Sequence, residues 1–183
     1  MDLLEIHDRY YERVRKFILA SVRNGSVAED LAQETFVRAG EKINALRDPA
    51  KISSWIFSIA YHLVQDHFQA EKKSPREDIH EGLVNVDETP LQKKMEQNEM
   101  SECVQDKLHL LPDSQRTVII LADVMEFTVQ EIADILGITV ENAKVRLHRG
   151  RKKFKEILEN ECTFEIDERS VLVCEPAAEK ERR

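Results

Sequence analysis

Three residues, Thr128, Gly137 and Thr139, punctuate the stretch 111–158 so closely that few folds can accept it. Thr128 followed by Glu131 is a capping box, in which hydroxyl and carboxylate each satisfy an amide left open at a helix start. A helix is therefore predicted from Val129, with Ile132, Ala133 and Leu136 as its apolar stripe. Gly137 stands where a left-handed residue ends such a helix, Ile138 can plug the turn, and Thr139 caps the helix that follows. The pattern is a helix-turn-helix.

On the last helix Ala143, Leu147, Gly150 and Phe154 recur at spacings of four, three and four, which marks a buried edge. The far side carries Asn142, Val145, Arg146, Arg149, Lys152 and Lys153, and seven of the twelve residues 144–155 are Lys or Arg with no acid among them. A solvated helix face normally mixes both signs, so this one fits a phosphate-lined groove better than open solvent. Residues near the start of such a helix enter the major groove, which makes Asn142, Arg146, Val145 and Arg149 the candidates for base edges. Lys144, Arg151, Lys152, Lys153 and Lys155 suit phosphate contacts.

The charge balance of the whole chain runs the other way. Its net charge of -8 is shared among all parts: the differences between bases and acids are -1 for 1–70, -3 for 71–100, -1 for 101–160 and -3 for 161–183. An acidic protein binds random DNA poorly alone, so the basic helix needs either dimerisation or a large partner to supply further contact. No apolar run approaches the roughly 20 residues that cross a bilayer, and MDLLEIHDRYYERV has acids where a signal peptide wants bases. A cytoplasmic location with no membrane contact of its own is expected. Three cysteines without repeated spacing make no disulfide framework.

The fold class read from these patterns is all-α: two small helical domains joined by a flexible linker, the second a helix-turn-helix, with a short C-terminal β-hairpin. The expected boundaries are 1–70, a linker at 71–100, 101–160, and a tail at 161–183. In the first domain, Leu3, Ile6, Tyr10, Val14, Phe17 and Ile18 keep helical spacing up to Asn24-Gly25. Ser26 with Glu29 reads as a second capping box, starting a helix with Val27, Leu31, Thr35 and Phe36 or Ala39 inward, and Asp30, Gln33, Glu34 and Arg38 outward. A loop marked by Asp48-Pro49 follows, with Ser53 or Ser54 as cap of a helix whose Trp55, Ile59 and Leu63 step by four beside Ile56, Ala60 and Phe68. His62 and His67 lie five apart without an acid or cysteine cluster, so no metal site and no cofactor is expected.

Residues 71–100 hold Pro75, Gly82 and Pro90 and little apolar content, as a linker does, before a helix through Met95, Met100, Val104 and Leu108. Pro112 ends that element and Asp113 or Ser114 caps the next. In the tail, CTFEI and SVLVC read as a hairpin around Asp167-Glu168-Arg169. A three-residue loop pairs Ile166 with Ser170, Phe164 with Leu172 and Cys162 with Cys174, which makes Cys162 and Cys174 either packed thiols or a redox pair.

AEDLAQETFVRA, then SSWIFSIAYHLVQDHF, then LPDSQRTVIILADVMEFTVQEIADILGITVENAKVRLHRGRKKF together resemble the two conserved domains of the bacterial extracytoplasmic function (ECF) sigma factors, from about Ile6 to Leu158. The resemblance implies a non-catalytic specificity subunit of RNA polymerase. It places Asp30, Gln33, Glu34 and Arg38 on the clamp helices of the polymerase β′ subunit, and adds the β flap as a second contact. It assigns the loop from Ile43 to Ser53 and the start of the Trp55 helix, with Leu46, Arg47, Trp55 and His62, to a flipped base of the promoter −10 element, and the helix-turn-helix to the −35 element. An anti-sigma factor is the usual regulator. This chain departs from the family pattern at Ser58, His62 and Gln69, where Arg, Asn and a basic residue are common, so contact with the −10 strand is expected to differ. A stand-alone dimeric regulator is the alternative, but residues 1–70 lack the strand pattern or acid pocket of a receiver. An enzyme lacks support, since no nucleophile with its base, glycine-rich phosphate loop or metal constellation appears.

Overall fold

The computed structural model describes residues 3–46, 48–73, 104–166 and 172–176, and of 163–166 and 172–176 the backbone alone. These residues are helical apart from one two-stranded sheet, as the sequence predicts. They divide into two compact units, residues 1–83 with 120–145 and residues 84–119 with 146–183.

In the first unit, α1 (Leu3–Val22) buries Ile6, Tyr10, Val14, Phe17 and Ile18 on one stripe, while Leu3 stays 39% exposed. The helix stops on Arg23, which takes a left-handed φ of 56°, before Gly25 is reached. Asn24 then caps α2 (Gly25–Lys42): its side chain accepts from the Val27 amide at 3.0 Å. The expected Ser26–Glu29 capping box is thus not formed. An Asn in extended conformation serves as well as Ser at this position, and it precedes Ser26 in the chain. Glu29 instead accepts a hydrogen bond from the Tyr11 hydroxyl of α1.

The buried edge of α2 consists of Ala28, Ala32, Thr35, Phe36 and Ala39, so Val27 and Leu31 are only half-buried. Small side chains make up most of this edge and let neighbouring backbones approach, while Phe36 packs against α1, its ring 5.0 Å from that of His7 and 5.7 Å from that of Tyr11. A similar rotation occurs in α3 (Ile52–Lys73), where Ile56, Phe57, Ala60, Leu63 and Val64 are buried and Trp55 and Ile59 are half-buried. Phe57 is fully enclosed, with its ring 5.5 Å from that of Phe17 and 4.7 Å from that of Phe127. Ahead of α3, Ile43–Ala45 and Pro49–Lys51 form 3-10 turns, the second capped by Asp48, whose carboxylate accepts from the Ala50 amide at 3.0 Å. Neither Ser53 nor Ser54 caps α3, because that turn runs directly into the helix; Ser54 donates to the Lys51 carbonyl instead. α3 also continues through Lys73, past the predicted start of the linker. The rest of the linker, including Met95 and Met100, lies outside the described residues, as do Arg47 of the first domain and Cys103 of the second.

Ile120–Val124 winds as a π-helix, and the amides of Met125 and Phe127 bond back to the Ile120 and Leu121 carbonyls, both at 2.9 Å. The sequence gives no sign of this widened turn. It is followed by α5 (Val129–Leu136), which packs on α3 within the same unit.

The second unit contains residues 104–108 in helical form, α4 (Asp113–Ile119) and the part of α6 (Val140–Glu161) from 146 onward. The Pro112 carbonyl accepts from the amides of Gln115 and Arg116 at 2.9 and 3.0 Å, which starts α4. The Asp113 carboxylate, expected as a cap, instead accepts from Arg116 at 2.9 Å. Burial lowers the Arg116 pKa, and Asp113 opposes that shift by favouring the charged form.

The hairpin pairs β1 (Cys162–Ile166) with β2 (Leu172–Pro176), but its register corrects the expected one: Ile166 faces Leu172, Phe164 faces Cys174, and Cys162 faces Pro176. The connection is five residues long, 167–171, and the two extra residues displace Cys174 by two positions along the ladder from Cys162. The cysteines stand in a diagonal relation, at which Cα atoms are about 7–8 Å apart, beyond the usual disulfide span. They are not the adjacent redox pair that a shorter loop would make. Cys162 is buried. Among the described residues no helix is long and apolar enough to cross a membrane.

Candidate nucleic-acid interface

The turn between α5 and α6 is built by backbone chemistry. The Thr128 hydroxyl accepts from the Glu131 amide, while the Glu131 carboxylate accepts from the Thr128 amide at 2.8 Å, closing the predicted capping box. Gly137 ends α5 at φ 63°, where a side chain would be strained. Thr139 then caps α6, its hydroxyl accepting from the Asn142 amide at 3.2 Å.

Along α6, Ala143, Leu147 and Gly150 are buried and Phe154 is half-buried. Asn142, Lys144, Val145, Arg149, Lys152 and Lys153 are exposed, and Arg146 is intermediate. Val145 is an apolar side chain left 46% open among these polar neighbours. The arrangement offers planar guanidinium donors, an amide, and an apolar contact near the first turns, followed by ammonium groups further along. Guanidinium and amide groups match base edges; ammonium groups act as point charges for phosphate.

A second feature lies at the start of α3. A cavity of about 400 Å³ is lined by Ala45, Leu46, Asp48, Lys51, Ser54 and Trp55, with Asp134 of α5 at its side. Of the residues assigned to the −10 element, Leu46 and Trp55 are therefore brought together. His62 is not part of that lining: it is exposed two turns along α3, with Nδ1 2.6 Å from the Ser58 carbonyl and its ring beside Tyr61. Arg47 lies outside the described residues. Lys51 escaped the sequence reading, although it is the only base between Arg47 and Lys72. Its ammonium pairs with the Asp134 carboxylate at 2.9 Å, and this hydrogen bond, followed by the charge itself, raises the Lys51 pKa.

On α2, Asp30 and Gln33 are exposed, and Glu34 and Arg38 form an ion pair at 2.8 Å. Val37, exposed at 57% between them, is an apolar addition to this face that the sequence reading passed over.

With this geometry the comparisons with known proteins agree. Residues 6–74 match Sigma-70 region 2 and residues 101–154 match Sigma-70, region 4. The chain is 32% identical to the ECF RNA polymerase sigma factor SigW of Bacillus subtilis over 163 residues, covering 84% of this chain and 87% of the relative. It is 30% identical to the ECF RNA polymerase sigma factor SigM of the same organism over 158 residues, covering 86% and 95%. Among solved structures, the sigma factor RpoE of Bartonella quintana, crystallised with the anti-sigma factor NepR, shares the fold at TM-score 0.67 and 21% identity, over 86% of this chain and 97% of that one. Two sigma regions in order, on a helical scaffold whose last helix is basic, leave one conclusion: the chain belongs to the ECF sigma factors, the non-catalytic subunits that direct promoter-specific transcription initiation by RNA polymerase.

Proposed function

We infer that this sigma factor reads the −35 element with α6, and that the observation carrying the assignment is the acid-free basic face of 144–155 opposite the buried Ala143–Leu147–Gly150 edge. Asn142, Val145, Arg146 and Arg149 contact base edges, while Lys144, Lys152 and Lys153 hold phosphates. The cavity beside Leu46 and Trp55 receives a flipped base of the −10 element, with Arg47 on the same loop. Flipping costs least where strands are already parting, which suits an open-complex contact. His62, engaged with its own helix, contributes at most to the rim of this site.

The exposed face of α2, with Asp30, Gln33, Glu34 and Arg38, docks on the β′ clamp helices, and the second region reaches the β flap. The domains follow as 1–70 for polymerase and the −10 element, 71–100 as linker, 101–160 for the −35 element, and 161–183 as a tail. The net charge of -8 supports dependence on core polymerase, which supplies the nonspecific DNA affinity this chain lacks. The protein works in the cytoplasm, and an anti-sigma factor is its regulator, as the partner named with the Bartonella quintana structure illustrates for that protein.

Run-off transcription with core polymerase, using genomic promoter fragments and mapped start sites, tests this reading. Start sites sharing −35 and −10 sequences are expected, and their loss with Arg146→Ala/Arg149→Ala. Tight binding of the chain alone to a palindrome, without promoter-dependent transcripts, overturns it.

A further inference from the structure

Along α6 one large apolar side chain is left open to solvent, that of Val145, at 46% exposure. A lone exposed aliphatic residue is ordinary on a protein surface. Its surroundings here are not ordinary. Glu141 and Asn142 stand one turn before it, and His148 and Arg149 one turn after it, all of them exposed, so that Val145 is an apolar island on a polar, mostly basic face. The opposite edge of the helix is where α4 packs, with Gln115 and Ile119 against Gly150, and Val145 takes no part in that contact. Helix chemistry does not select it either. A β-branched residue loses rotamer freedom in the middle of a helix, and on an exposed position alanine makes the better helix.

We propose that Val145 is a specificity residue that recognises the 5-methyl group of one thymine in the −35 duplex. The inference rests on the reading of α6 as the −35 helix, and adds the base that this position selects. When such a helix enters the major groove, the Val145 isopropyl group loses its water and must meet a base edge. Against guanine it would cover N7 and O6, against adenine N7 and the amine, and against cytosine the amine, each of which would lose water and gain no hydrogen bond. Thymine alone presents a methyl group there. The stiffness that makes valine a poor surface helix residue now serves recognition, because a side chain held in one rotamer has little freedom left to lose on contact. Asn142 and Arg149, a turn away on either side, supply the hydrogen bonds that fix the neighbouring base pairs.

The test uses holoenzyme assembled from the full chain and core polymerase, on a duplex carrying the −35 sequence that run-off transcription defines. Each thymine of that sequence, on either strand, is replaced in turn by deoxyuridine, which deletes the methyl group and alters no hydrogen-bonding group. Competition binding is expected to show one position at which the replacement weakens wild-type holoenzyme about fourfold, the factor carried by a single buried methyl group. Val145→Ala is expected to bind the thymine duplex more weakly and to make no distinction between thymine and deoxyuridine at that position. The same variant, as free protein, should unfold at a slightly higher temperature, since alanine favours the helix. A lower unfolding temperature would mark Val145 as a packing residue and overturn the proposal.

It is equally overturned if no deoxyuridine replacement weakens binding, if the −35 sequence holds no thymine on either strand, or if Val145→Ala keeps the preference for thymine. In those cases a loss of −35 binding in Arg146→Ala/Arg149→Ala leaves the reading of α6 standing. If that double variant binds the promoter duplex as the wild type does, the reading of α6 fails, and the thymine contact fails with it.

Discussion

Gly150 of α6 lies against Gln115 of α4 so closely that a Cβ at position 150 would stand 3.2 Å from the Gln115 carbonyl oxygen, and equally close to Ile119 Cδ1. The Ile119 methyl can turn aside, but the backbone carbonyl cannot. A branched side chain at 150 must therefore separate the two helices. Gly150→Val is expected to destabilise the protein by about 1–3 kcal/mol, the usual cost of overfilling a packed contact, despite the better helix propensity of valine. Urea unfolding followed by far-ultraviolet circular dichroism measures it, and −35 duplex binding should fall in parallel.

The helix-turn-helix depends on two terminal residues that need not touch DNA. Thr128→Ala removes the hydroxyl that satisfies the Glu131 amide, at a cost of about 1 kcal/mol. Gly137→Ala forces a Cβ into a left-handed conformation, at a cost of roughly 1–2 kcal/mol. Both should lower the midpoint of thermal unfolding while leaving promoter preference intact in the fraction that remains folded.

Base-reading and phosphate-holding residues on α6 should separate in a salt titration. Arg146→Ala is expected to lose about 1–3 kcal/mol on the promoter duplex and to relax preference at one base position. Lys152→Ala should weaken all duplexes alike and reduce the salt slope of binding by about one. Equal behaviour of the two variants would contradict the division of roles along the helix.

Tyr11 and Glu29 tie α1 to α2, and their hydrogen bond is sensitive to alkali. Burial first, then the bond to Glu29 and its charge, push the Tyr11 pKa up from 10.0 to about 12. The folded pKa is raised, so the contribution is fully present below pH 10.0 and is lost as pH climbs towards about 12. Stability should therefore decline across that window. Tyr11→Phe is expected to flatten the decline, and phenolate absorbance of the folded protein should show one tyrosine titrating late.

The hairpin register makes a further prediction. Because Cys174 faces Phe164 and not Cys162, mild oxidation of the whole chain should give no intramolecular 162–174 disulfide peptide by mass spectrometry.

The helical character, the capping box at Thr128, the left-handed Gly137 and the basic face of α6 were legible in the sequence because each depends on residues within a turn or two of one another. Failures came where tertiary packing decides. The faces of α2 and α3 turned away from Val27, Leu31, Trp55 and Ile59 because Ala28, Ala32 and Ala39 allow close backbone approach and Phe57 meets a ring from a distant segment. Asn24 outcompeted Ser26 as a cap, a choice of two residues that local preference ranks equally. Arg13 and Phe127, and the part of Asp134 in the cavity, were invisible because the sequence separation is 112 for Arg13 and Met125, 83 for Lys51 and Asp134, and about 70 for Phe57 and Phe127.

The π-wound segment Ile120–Val124 carries one more residue per turn than the helix leading into it. In evolutionary terms such a segment behaves as an insertion absorbed without lengthening the rod. Deleting any one of its five residues would let an ordinary α-helix run through, swinging everything downstream by about 100°. Phe127 would then miss the ring of Phe57, so the loss of one codon would undo that buried contact while every individual helix survived.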